Sequence, residues 1–256
     1  MAVADLPPPL VRYAPIVVHD RRDASPLTSV GDAPVAVPGV VRGAGLPTVY
    51  ARRAGRDLQY WLFYRDNPQD RGVFRTGRHE GDWELVQVHL GADGVPTSVL
   101  ASQHSGAETC AWSEVERAGR RPVVYAANGS HAGYLAAGTR DRTWPDPNDE
   151  AGGDGLRVVP RVEFVSADTP RWMAWPGRWG SSRAGIVPGE SDSPRGPAFQ
   201  GVRWDDPAAF AASAHACGVG RAPANRVENG MVVAGISIGV AALGALVRRR
   251  RRNAST

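Results

Sequence analysis

The chain has 256 residues, with thirty Gly, twenty-one Pro and eight Trp. That length suits one large domain or a domain with a tail, and the composition favours a loop-rich β protein over a helical one. The formal charge is +4 and every basic residue is Arg; the run Arg248–Arg252 supplies five, which leaves −1 elsewhere. The rest of the chain has no basic face and no interleaving of aromatic and basic residues, so nucleic acid is excluded as a partner. The Arg run itself hints at an anionic membrane surface.

The opening MAVADLPPPL has no basic stretch followed by an apolar one, so it does not read as a secretory signal. From Val11 onward, short apolar runs alternate with turn signals: APIVV, LQYWLFY, WELVQVHL, SVLAS, PVVYAA, LRVV and RVEFVS. Their β-branched and aromatic content and their spacing predict an all-β domain, an antiparallel β-sandwich with long loops. DPAAFAASAHAC (206–217) is the best candidate for a short helix. Cys110 and Cys217 lack metal-type spacing; two small buried thiols is the plain reading, with a disulfide as the alternative.

The composition changes after residue 217. Residues 218–230 read as a linker. MVVAGISIGVAALGALV (231–247) carries no charge and is followed by the basic tail 248–256. Its length is the lower edge of a membrane-spanning helix, and Gly235 and Gly239 form a GxxxG packing motif. The expectation is a sandwich domain (1–217) anchored in a membrane by a single C-terminal apolar helix. The basic run argues for a cytoplasmic tail while the absent export signal argues for a cytoplasmic domain, so the side of the membrane is left open.

GRHEGDWELVQVHL (77–90) gathers His79, Glu80, Asp82 and Glu84 at the head of a strand. Alternation puts Asp82 and Glu84 on the face that carries Val86, Val88 and Leu90. Two carboxylates on a partly desolvated face cannot both stay ionised cheaply. A divalent cation resolves the conflict, and His79 can fold back onto it. Mainly oxygen donors suit Ca²⁺, Mg²⁺ or Mn²⁺ better than Zn²⁺. The bland alternative is a surface cluster with Glu80 and Arg78 as ion-pair partners.

The turn in HLGADGVP predicts a hairpin in which Leu90 pairs with Val95 and Asp82 stands opposite Gln103, bringing Ser102 and His104 toward the acid cluster. VVYAANGSHAGYL adds a strand and a turn with Ser130 and His131. Ser102, His104, Ser130 and His131 are therefore candidate ligand-binding residues beside the ion. A serine–histidine dyad is a competing chemistry, but no Gly-x-Ser-x-Gly elbow supports it.

The segments YAPIVVHDRRDASPLTSV, GRHEGDWELVQVHL, ASQHSGAETCAW, RPVVYAANGSHAGYL, WPGRWG and SPRGPAFQGVRWDDP follow the order seen in the vacuolar protein sorting-associated protein 62 family. The resemblance covers roughly Leu10–Phe210 and implies little about activity. More distantly, HEGDWE resembles the GHRHDWE heptapeptide of the necrosis- and ethylene-inducing peptide-like cytolysins. Those proteins are β-sandwiches that bind a divalent ion and attack membranes by recognising sphingolipid headgroups. The resemblance implies His79, Asp82 and Glu84 as metal ligands, with Asp66 as a fourth and Asp70 as its rival. Gly81 replaces the heptapeptide's second histidine, which counts against cytolytic activity. Trp172, Trp175 and Trp179 in WMAWPGRWG read as packing at a sandwich edge rather than as a ligand groove.

The expected function is recognition of a polar lipid or glycan headgroup through a divalent cation. The alternatives are a metal-dependent hydrolase, with His104 or His131 as general base, and an ion that serves structure alone.

Overall fold

The structure is a computed structural model, and it describes residues 8–69, 77–142, 147–181, 191–218 and 221–222. The chain divides into two compact units, Met1–Arg221 and Ala222–Thr256. Beyond Ala222 the second unit lies outside the described residues. The first unit holds the sheets.

A seven-stranded sheet runs, in spatial order, Arg161–Phe164 (β13), Thr48–Ala54 (β2), Asp57–Asn67 (β3), His79–Leu90 (β4), Pro96–Gln103 (β5), Gly106–Ala111 (β6) and His215–Ala216 (β14). A five-stranded sheet holds Leu156–Val158 (β12), Ile16–His19 (β1), Arg121–Ala126 (β8) and Arg117–Ala118 (β7), with Gly133–Tyr134 (β9) also paired to β8. Gly138–Arg140 (β10) and Asp149–Ala151 (β11) form a further antiparallel pair.

Alternation along β3 and β4 builds the layers. Leu58, Tyr60, Leu62 and Tyr64, with Val86, Val88 and Leu90, enter a core completed by Val17, Val124 and Ala126 of the smaller sheet. The two sheets therefore pack on one another in a sandwich-like arrangement. Trp61, Phe63, Trp83 and Leu85 face the other way, into a second core roofed by Trp172, Met173, Trp179, Trp204 and Phe210. Trp83 stacks against Trp172 and meets Trp179 edge-on, with centroids 5.9 and 5.0 Å away. Such aromatic pairs contribute about 0.5–1.5 kcal/mol each beyond their buried area. The tryptophans of WMAWPGRWG thus pack, as the sequence suggests.

Three readings are corrected. The sheets are mixed rather than purely antiparallel, because β1 and β8, β13 and β2, and β14 and β6 run parallel. Each of these pairs joins strands distant in sequence, beyond the reach of local turn signals. Cys110 and Cys217 form a disulfide, across a separation of 107 residues, that ties β14 to β6. Finally, the expected membrane-anchored chain is not supported. Among the described residues no helix is long and apolar enough to cross a membrane. The longest, Pro207–Ala212, spans about 9 Å against roughly 30 Å of hydrocarbon. Residues 231–247 themselves lie outside the described residues.

Candidate functional site

The head of β4 is shaped by Gly81. Its φ is +59°, and a Cβ there would stand 2.2 Å from the Trp179 carbonyl oxygen. Only glycine fits a left-handed residue in such close contact, so the position of the cytolysins' second histidine is closed to any side chain here. The kink lets His79 reach Asp82, three residues on: Nε2 lies 3.3 Å from Oδ1. Glu80 turns outward, where its Oε2 accepts from the Ser181 amide.

The other oxygen of Asp82, Oδ2, faces His131 Nδ1 at 3.1 Å. His131 Nε2 lies 3.6 Å from Asp23 Oδ1, and Asp23 Oδ2 lies 3.4 Å from His19 Nδ1. Histidine and aspartate therefore alternate in a row, His79–Asp82–His131–Asp23–His19, leading from the cavity into the interior. Burial alone would lower the His131 pKa, but Asp23 and Asp82 at its two nitrogens outweigh it and raise it to about 9. Burial raises Asp82, yet its bonds to His131 and His79 leave it well below the usual carboxylate range. Glu84 goes the opposite way: burial, and then the charge of Asp82, push it well above its ordinary value. Ser102 Oγ donates to Glu84 and accepts from the Leu85 amide.

A second hub forms at Asp149, which is fully buried. It accepts from Ser130 Oγ at 2.6 Å, Tyr134 OH at 2.7 Å and His104 Nε2 at 2.7 Å. Burial pushes its pKa up, but the bond to His104 prevails and holds it at about 2. His104 sits on the two-residue turn between β5 and β6, at φ +52°. Among the described residues three non-glycines have positive φ, and they are Gln69, His104 and His131. Backbone strain of about 1–3 kcal/mol per residue is thus concentrated at one place.

His79, Asp82, Glu84 and His104 line one cavity of about 320 Å³, together with Arg142 and Arg203. Ser102, Ser130 and His131 stand behind it, each bonded to one of its carboxylates or to Asp149. Both serine hydroxyls donate to carboxylates rather than to a histidine, which leaves the dyad reading without support. The hairpin register also differs from expectation. Val86 pairs with Ala101 and Leu90 with Pro96, with an irregularity between His89 and Leu90. Ser102 nevertheless reaches the acid cluster, at Glu84.

Asp66 is not brought in. It pairs with Glu80, its side chain is 44% exposed, and its carboxylate lies 3.6 Å from Arg65 Nε. Asn67 stands opposite His79 instead and lines the cavity, its buried Oδ1 without a hydrogen-bond partner. Asp70 lies outside the described residues. Sequence reasoning misses Asp23, Asn67, Asp149, Arg142 and Arg203. Among the described residues no three His, Cys, Asp or Glu side chains are disposed to hold a metal ion as they stand.

No curated protein matches the chain. Among solved structures, necrosis and ethylene inducing protein 2 from the causal agent of cocoa's witches' broom disease is 14% identical, with 62% of this chain and 74% of that one covered and a TM-score of 0.38. NLPPya in complex with mannosamine is also 14% identical, covering 61% and 71%, with a TM-score of 0.38. The non-toxic HaNLP3 protein gives 14%, 64% and 76%, and again 0.38. Residues 59–143, from β3 past the His131 turn, match the model of the vacuolar protein sorting-associated protein 62 family.

Proposed function

We propose that the cavity at the head of β4 binds a divalent cation and, through it, recognises a polar headgroup of glycan or lipid type. The observation that carries this is the pair Asp82 and Glu84, both buried and both opening on one cavity. His131 compensates Asp82 from behind, whereas Glu84 takes its hydrogen bond from a neutral hydroxyl. A cation replaces the proton that burial otherwise forces onto Glu84.

The donor set fits a hard ion. Asn67 offers a buried oxygen without a partner. His79 shares the proton of Nδ1 with the Gly77 carbonyl at 2.9 Å, which turns Nε2 toward the cavity as the ligating nitrogen. Asp82 and Glu84 supply the charge. His79 and Asp82 would exchange their mutual hydrogen bond for the ion. Three oxygen-bearing residues and one imidazole suit Ca²⁺, Mg²⁺ or Mn²⁺ more than Zn²⁺. Arg142, Arg203 and His104 complete a polar wall suited to hydroxyls and anionic groups.

The test uses soluble probes, methyl glucoside and glycerophosphoinositol, with saturation-transfer NMR on the full chain. Binding in Mg²⁺ or Ca²⁺ that disappears with chelator, and in Asp82→Asn with Glu84→Gln, is expected. Absence of binding, or binding indifferent to the cation, contradicts the reading.

A further inference from the structure

We propose that His104, oriented by Asp149, is a general base that hydrolyses a phosphodiester seated in this cavity. The inference rests on the cavity being a ligand site, and it adds a reaction and a substrate class to it.

The geometry begins with Asp149. A fully buried carboxylate with three short hydrogen bonds is a fixed point. Because His104 directs Nε2 at it, that nitrogen carries the proton and Nδ1 is left as the basic one. The His104 side chain is 28% exposed and lines the cavity. Its backbone is pinned as well: φ is +52°, and Arg203 donates to the His104 carbonyl. A non-glycine residue keeps such a conformation only where its surroundings over-determine it.

The opposite requirement is a seat for an anion, and Arg142 and Arg203 line the same cavity. Guanidinium groups match phosphoryl oxygens in shape and charge. The hydroxyls of Ser102 and Ser130 are committed to Glu84 and Asp149, so the attacking group is water rather than a side chain. His104 Nδ1 takes one proton from the water as its oxygen bonds to phosphorus. The bond from phosphorus to the departing alcohol oxygen breaks. That oxygen takes a proton from solvent, and His104 returns its own to solvent. One diester and one water give one monoester and one alcohol, with no change of oxidation state. Positioned base catalysis of this kind contributes about 10²–10⁴-fold. Asp149 is a positioning residue that acts through the imidazole.

The experiment uses the full chain with Mg²⁺ or Mn²⁺, bis(4-nitrophenyl) phosphate and glycerophosphoinositol as substrates, and ³¹P NMR to identify products. Dimethyl phosphate, followed by ligand-observed NMR, reports binding apart from turnover. Monoester formation is expected in the wild type. His104→Gln, whose amide can still donate to Asp149, is expected to lose about 100-fold or more in kcat while dimethyl phosphate binding persists. Asp149→Asn is expected to lower kcat at unchanged KM. His104→Asn serves if the glutamine variant fails to fold. Bound cation and bound dimethyl phosphate without monoester overturn the catalytic role while the ligand site stands, as does His104→Gln turning over like the wild type. If neither cation nor dimethyl phosphate binds, both this inference and the reading beneath it fall.

Discussion

His131 lies flat on Tyr64, with ring centroids 4.0 Å apart and planes parallel, and it has a carboxylate at each nitrogen. This buried imidazolium is the charge that lets Asp23 and Asp82 stay ionised in the interior. Removing one partner of such a cluster leaves uncompensated buried charge, at a cost of about 3–5 kcal/mol. His131→Gln is expected to destabilise the fold by that amount in urea titrations. Asp23→Asn is expected to fall in the same range.

The same residue sets a pH dependence. Its pKa is about 9 in the fold and about 6.5 in the unfolded chain. Its contribution is therefore fully present below about pH 6.5 and is lost as pH rises toward 9. With chelator present, the melting temperature of the wild type is expected to fall across that window. His131→Gln should flatten the slope.

Gly81→Ala tests the kink at the head of β4. A Cβ 2.2 Å from the Trp179 carbonyl oxygen must move backbone, and the left-handed φ adds strain. The expected loss is about 3 kcal/mol or more. An unchanged melting curve would show that the Trp179 loop yields.

Cys217→Ser opens a cross-link between residues 107 apart in sequence. The expected loss is about 2–5 kcal/mol, and reducing agent should lower the wild type to a similar degree. Mass spectrometry without reductant is expected to find no free thiol in the wild type.

Asn67 and Asp66 separate two choices of fourth cation ligand. Calorimetric titration with Mn²⁺ is expected to show weaker binding for Asn67→Leu and unchanged binding for Asp66→Ala. Because Asp66 is half exposed, Asp66→Ala should also alter stability by less than about 0.5 kcal/mol.

What can be read from sequence depends on contact distance along the chain. The alternation in β3 and β4 names both cores, and His79, Asp82, Glu84 and His104 are legible because one strand and one hairpin hold them. Asp23 and Asp149 escape because β1, β8 and β11 bring them in from far away, and nothing in their own segments ties them to the head of β4. Asp66 enters the sequence reading through the resemblance to the cytolysins, whereas the register of β3 against β4 sets Asn67, not Asp66, opposite His79. The irregularity after His89 shifts the hairpin from the register that its turn suggests. The disulfide has no local signal, and hydropathy alone speaks for the apolar stretch at 231–247.

The central claim is a cation held between Asp82 and Glu84. Elemental mass spectrometry of the purified chain, after incubation with Ca²⁺, Mg²⁺, Mn²⁺ and Zn²⁺ and desalting, tests it most directly. About one equivalent of a divalent ion is expected in the wild type and none in Asp82→Ala with Glu84→Ala. No bound ion in either protein would contradict it, and would make the protonated Glu84 and the imidazolium of His131 the complete answer to the buried charge.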